Sequence, residues 1–271
     1  MLSKYNEQRS IGDNLKLGVL SAFAAGMTNV AALVLFFSFV SNVTGHFAIL
    51  AEEVAKGNWY QVAVVFLWVF LFLGGSFTSN FIVIHGNKRR RLMNHAIPIA
   101  LEILCLVGVG YYGHFHYRET LMETELMVAA LLFAMGLQNG LTASISNFSV
   151  KTTHLTGLTT DLAIHLSMVT KKALRDKPEV RQKIVLLSSI AGSYVAGGTV
   201  AGSITSMFQF KVFFFIAALL CGVLVYDIAR HGVTLKERAQ RVRRESKEDE
   251  PRLMREPRMA MQDLDKVAQA S

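Results

Sequence analysis

Apolar residues along the chain gather into long uninterrupted runs, and the charges fall between them. Five runs are long and apolar enough to cross a bilayer, which takes roughly 20 consecutive, mostly apolar residues in a helix: Leu17–Val40, Trp59–Ile84, His95–Gly113, Val185–Ser206 and Val212–Ile228. A sixth, Leu126–Ser146, is more polar but uncharged, and its Gln138 and Asn139 must be satisfied by protein or water inside a bundle. The pattern predicts an all-α membrane protein of six transmembrane helices. Residues 1–16 form a polar N-terminal segment, 17–229 the membrane domain and 230–271 a charged tail. The N-terminus is too polar, and the run after it too long, for a cleaved signal peptide.

Composition supports this reading. Of 271 residues, 52% are hydrophobic and 18% charged, against about a quarter charged in soluble domains. Cys105 and Cys221 both fall inside predicted spans, which argues against a disulfide framework or a metal site. The net charge of +8 is concentrated in alternate loops rather than in a nucleic-acid-binding patch. Lys88 to Arg91, the stretch from Lys151 to Lys183 and the tail are basic, whereas the loops near Glu52 and Glu119 are not. Basic loops stay on the cytoplasmic side, so both termini are expected there. The lipid bilayer is the expected partner, with anionic headgroups at the basic loops and tail.

The two halves of the membrane domain, about 17–113 and 126–229, share four features in the same order. Gly26-Met27-Thr28-Asn29 matches Gly136-Leu137-Gln138-Asn139, and Thr44-Gly45-His46 matches Thr156-Gly157-Leu158. Gly74-Gly75 then matches Gly197-Gly198, and Leu104-Cys105 matches Leu220-Cys221. A unit of three spans, being odd, brings its second copy into the membrane from the opposite side. The expected architecture is thus a 3+3 inverted repeat with Thr-Gly helix starts, an arrangement typical of transporters with a site between the halves.

The run Ala134-Met135-Gly136-Leu137-Gln138-Asn139-Gly140 and the segment Lys151-Thr152-Thr153-His154-Leu155-Thr156-Gly157-Leu158-Thr159-Thr160-Asp161 resemble the YoaK family, the DUF1275 group of bacterial six-span inner-membrane proteins. The resemblance covers about Leu17–Ala229 and implies fold and location without supplying an activity. Two positions depart from it: Asn29 stands where the family usually has Asp, and His46 where it usually has Asn.

Several residues are candidates for a substrate path. Thr44 and Thr156 are placed to cap the helices that follow them, and Gly45 and Gly157 permit close backbone approach. Helix N-termini inside a membrane can turn their positive ends toward an anion, and an interfacial helix start with ordinary capping has the same sequence. Asp161 and His165, four apart on one helix face with His154 a turn earlier and Thr160 beside them, can form a local ion pair or relay protons. Glu102 is the one carboxylate deep in an apolar run, so it must face the interior, be paired, be protonated or reach back toward the second loop. Asn29, Gln138 and Asn139 can bond between helices or line a path.

No nucleophile, Walker, zinc-protease or Cys-cluster motif is present, so neither catalysis nor a cofactor or metal is expected. The expected function is transport of a small solute or ion. The alternative is a non-transporting scaffold or regulator acting through the tail.

Overall fold

The computed structural model describes residues 10–87 and 90–229, and every regular element in them is helical. The charged tail expected from residue 230 and the basic pair Lys88-Arg89 lie outside the described residues. Residues up to Val225 belong to one compact unit, and the four described residues after it to a second.

The elements follow from their end signals. Helix α1, Ile11–Phe36, begins at a reciprocal cap in which Ser10 Oγ accepts from the Asp13 N–H while Ser10 N–H donates to the Asp13 carboxylate. It stops at Phe37, whose left-handed backbone breaks the helix. Helix α2, Val43–Lys56, is capped by Asn42 and ends at Gly57, where φ of 71° suits glycine. Asn58 then caps α3, Trp59–His85. Helix α4 spans Arg91–Phe115, and Thr120 caps α5, Leu121–Ile145. Helices α6, Leu155–Thr170, and α7, Lys172–Arg175, lead into α8, Pro178–Phe208, which carries Pro at its first position, where no N–H is missed. A 3₁₀ turn at Gln209–Lys211, entered through positive φ at Gln209, separates α8 from α9, residues 212–229.

Among the described residues five helical stretches have the length and apolarity to cross a membrane, with 178–229 taken as one. The observed α1 begins and ends earlier than the apolar run Leu17–Val40, because the Ser10–Asp13 cap and the reversal at Phe37 set its bounds. Helix α3 turns Phe66, Phe70, Leu73, Phe77 and Phe81 outward, an apolar face suited to lipid contact.

Two helix pairs form the frame. Along α1 and α8, Val19 meets Ser193, Phe23 meets Gly197, Gly26 meets Tyr194 and Gly198, and Val30 meets Gly202. The contacts advance together, so the two helices run parallel. Along α3 and α5, Trp68 meets Glu125, Gly75 meets Phe133, Ser76 meets Gly136 and Gly140, and Asn80 meets Ser144, again in parallel. Small residues allow this proximity. A Cβ at Gly26 would sit on the Tyr194 carbonyl, and one at Gly136 on the Phe72 carbonyl. Likewise Gly197 faces the Phe23 carbonyl, and Gly75 the Phe133 carbonyl.

These seams correct two details of the sequence comparison. Of the Gly74-Gly75 pair only Gly75 packs against a partner-helix carbonyl, as Gly197 does, and Gly74 faces open space. Leu104 is exposed while Leu220 is buried, so the two Leu-Cys pairs differ in their surroundings. The main core, including Leu106, Leu131, Leu132, Met135, Phe213 and Ile216, fills the space between α1, α4, α5 and α9.

Candidate functional site

Each of the helices α1 and α5 carries an asparagine that holds the loop beyond it. Asn29 Oδ1 accepts from the Val40 N–H at 3.0 Å and from Ser41 Oγ at 3.0 Å. Asn139 Oδ1 takes the Thr152 hydroxyl at 3.4 Å, and its amide donates to the Met135 carbonyl at 2.9 Å. The Tyr194 hydroxyl, from α8, joins the Asn29–Ser41 group. The loop after each helix is thereby pulled back toward it, and the short helix that follows starts beside the long one.

At those starts the capping residues are Asn42 and His154, not Thr44 and Thr156. Asn42 Oδ1 accepts the Gly45 N–H at 3.1 Å, while His154 occupies the corresponding place before α6 without a side-chain cap bond. Each Thr is the second residue inside its helix, where its own N–H needs a partner and its side chain is free of that task. The glycines serve the capping residue as well. A Cβ at Gly45 would lie 2.8 Å from Asn42 Nδ2, and one at Gly157 2.8 Å from His154 Nε2. Asn42→Ala should therefore cost about 1 kcal/mol and accelerate amide exchange at Gly45. Thr44→Ala should leave that exchange unchanged.

Both helix starts open onto one cavity of about 920 Å³. Asn29, Phe39, Ser41, Asn42 and Thr44 line it from the first half, and Asn139, Ser144, Lys151, His154 and Thr156 from the second. Phe72, Ser76 and Asn80 of α3 and Tyr194 of α8 also line it. Its polar groups are amides and hydroxyls, with Lys151 and His154 the only basic side chains and no carboxylate among the described lining residues. Cavities of this size, walled by aromatic rings with a few convergent polar groups, are the usual form of small-molecule sites.

Five of the sequence candidates therefore meet: Asn29, Thr44, Asn139, His154 and Thr156. The others stand elsewhere. His46 is on the buried side of α2, with Nε2 bonded to the Phe39 carbonyl at 2.9 Å and its ring edge-on to Trp68. Burial pushes its pKa below the ordinary histidine range, the Phe39 carbonyl opposing, and Nε2, which faces that carbonyl, is the donor. Thr160 bonds back to the Thr156 carbonyl.

His165 Nδ1 meets the Asp161 carbonyl oxygen at 2.7 Å, and no ion pair joins the two side chains, so the expected carboxylate–imidazole pair is not formed. Residues four apart on a helix also bring a side chain over the earlier carbonyl, and that contact wins here. Glu102 and Gln138 are buried against each other, with Gln138 Nε2 donating to Glu102 Oε1 at 3.1 Å. Glu102 thus turns inward and does not reach for the second loop.

Ser76, Asn80, Ser144 and Tyr194 were not singled out by sequence. Ser76 and Asn80, four apart on one face of a mostly apolar helix, were the available signal.

The model of a family described as "Protein of unknown function (DUF1275)" matches residues 17–226 of the chain. No curated protein and no solved structure matches.

Proposed function

Since the chain belongs to the DUF1275 family, whose description states no activity, we propose that it is a transporter or channel moving a small solute or ion through the cavity between its halves. The observation that carries this reading is the lining itself. Equivalent residues of the two halves, Asn29 with Asn139, Asn42 with His154, Thr44 with Thr156 and Phe72 with Tyr194, meet around one space. A scaffold needs a packed interior, and selection for packing alone would have filled it. Amides, hydroxyls, Lys151 and no carboxylate favour a polar or anionic solute over a cation. No enzymatic role is proposed.

The architecture behind this reading is six spans in a 3+3 inverted repeat, with the turn at Gln209–Lys211 dividing the last stretch into α8 and α9. Support comes from the seams. The contacts of Gly26 with Tyr194 and Gly198 recur as those of Gly136 with Phe72 and Ser76. An in-plane two-fold axis that inverts the second half makes α1 parallel to α8 and α3 parallel to α5, in keeping with the contact order described above.

Loop charge supports a topology with both termini cytoplasmic and anionic lipid against the basic loops, and the resemblance of the two motif segments supports a bacterial inner membrane. Single cysteines at Asn58 and Thr120 should then react with a membrane-impermeant thiol reagent added outside, and those at Asn87 and Asp176 should not. Outside labelling at Asn87 or Asp176 would reverse the topology.

Access to the cavity tests transport directly. In a chain lacking Cys105 and Cys221, cysteines at Thr44 and Thr156 should both react with a water-soluble thiol reagent, each from at least one face of the membrane. Two sites inert from both sides would mean that no aqueous path exists, and the transport reading would fall.

A further inference from the structure

The Glu102–Gln138 contact leaves two oxygens bare. Glu102, on α4, is 1% exposed, and Gln138, on α5, is 4% exposed. Their single bond uses Gln138 Nε2 and Glu102 Oε1. Glu102 Oε2 and Gln138 Oε1 are both buried with no hydrogen-bond partner. Two unsatisfied acceptors in one buried contact call for a donor.

The chemistry of the two groups says which donor. A neutral carboxylic acid and a primary amide are complementary, since each offers one donor and one acceptor side by side. The bond already present is one side of such a ring. A proton on Glu102 Oε2, donated toward Gln138 Oε1, supplies the other and satisfies both bare atoms at once. No basic side chain is paired with Glu102 among the described residues. Cys105, a turn further along α4, is the titratable group set against it, and His95, two turns back and also buried, has a partner of its own. An ionised Glu102 would thus hold its charge in the bundle on one amide donor, an expensive arrangement.

We propose that the Glu102–Gln138 pair is a proton-binding site. The step is simple protonation: the carboxylate takes one proton from solution at Oε2, and the O–H so formed bonds Gln138 Oε1. Gln138 is followed in the chain by Asn139, which lines the cavity. A proton bound on α5 one residue from the cavity wall makes the proton the candidate coupling ion of transport, a role that rests on the function proposed above. The site is asymmetric, because the residue matching Gln138 in the first half is Thr28, which bonds the Ala24 carbonyl of its own helix.

Infrared spectra of the full chain in lipid nanodiscs test this without knowledge of the solute. At neutral pH the native protein should show the carbonyl stretch of a buried, neutral carboxylic acid. Glu102→Gln, whose amide can close the same ring, should fold normally and lose that band. Gln138→Leu should shift the band to higher frequency as its hydrogen bond is lost. If that variant does not fold, the comparison of native protein with Glu102→Gln still decides.

Absence of the band, or its persistence in Glu102→Gln, would overturn the proposal. Its disappearance when sodium replaces potassium would also do so, by assigning the site to a metal cation. An intact band in a protein with no aqueous path to Thr44 and Thr156 would sink transport and leave the proton site standing.

Discussion

Replacing Gly26 or Gly136 by alanine should destabilise the protein by about 1–3 kcal/mol, read as a lowered unfolding midpoint in detergent or bicelles. At both positions the added methyl group lands on a backbone carbonyl of the partner helix, Tyr194 in one case and Phe72 in the other. A flexible side chain could swing aside, but a helix carbonyl cannot move without its helix. The pair must separate along its seam, which loosens contacts on either side as well. Gly74→Ala is the control, because nothing stands within reach of its Cβ. There the change should be neutral or slightly stabilising, since alanine is the better helix former by up to about 1 kcal/mol. Equal tolerance at Gly26 and Gly74 would refute the close-packed seam.

Asn29→Leu should be comparably damaging, and Asn29→Asp should not. One oxygen of Asn29 serves both the Val40 N–H and the Ser41 hydroxyl, and Val40 is fully buried. Leucine removes that acceptor while leaving the donors in place, and a buried unsatisfied N–H costs about 1–3 kcal/mol. The loop that sets the start of α2 would come free, so amide exchange at Val40 should rise along with the loss of stability. Aspartate offers the same acceptor in the same place, and exchange at Val40 should stay near native. Asn and Asp at this position therefore offer the loop the same acceptor. Native-like exchange at Val40 in Asn29→Leu would show that something other than Asn29 holds the loop.

The sequence made some of this visible and hid the rest for physical reasons. Apolar runs located the long helices because a bilayer imposes a composition on each run independently of its neighbours. Asn29 and Asn139 were visible because each stands three residues after a glycine that recurs between the halves. The caps were misread, since Thr is a good N-cap and Asn42 and His154 share no residue type. Only the backbone shows that Thr44 and Thr156 are already inside their helices. Asp161 and His165 have the spacing of an ion pair, but four residues along a helix also place an imidazole over a carbonyl. The Glu102–Gln138 bond joins different helices across 36 residues, a relation that no local pattern carries.

The two seams also differ in when they can form. Helix α5 meets α3 some 60 residues after it, as Ser76 and Gly136 do. Helix α1 must wait for α8, with Val19 and Ser193 separated by 174 residues. During synthesis the glycine face of α1 therefore faces lipid or a transient neighbour until nearly the whole membrane domain has been made. Assembly is ordered by this separation, with the α3–α5 pair able to dock early and the α1–α8 pair closing last. A nascent chain stopped before α8 would hold α1 in the membrane with its most closely packing surface uncovered, and quality control by membrane proteases has its natural target there.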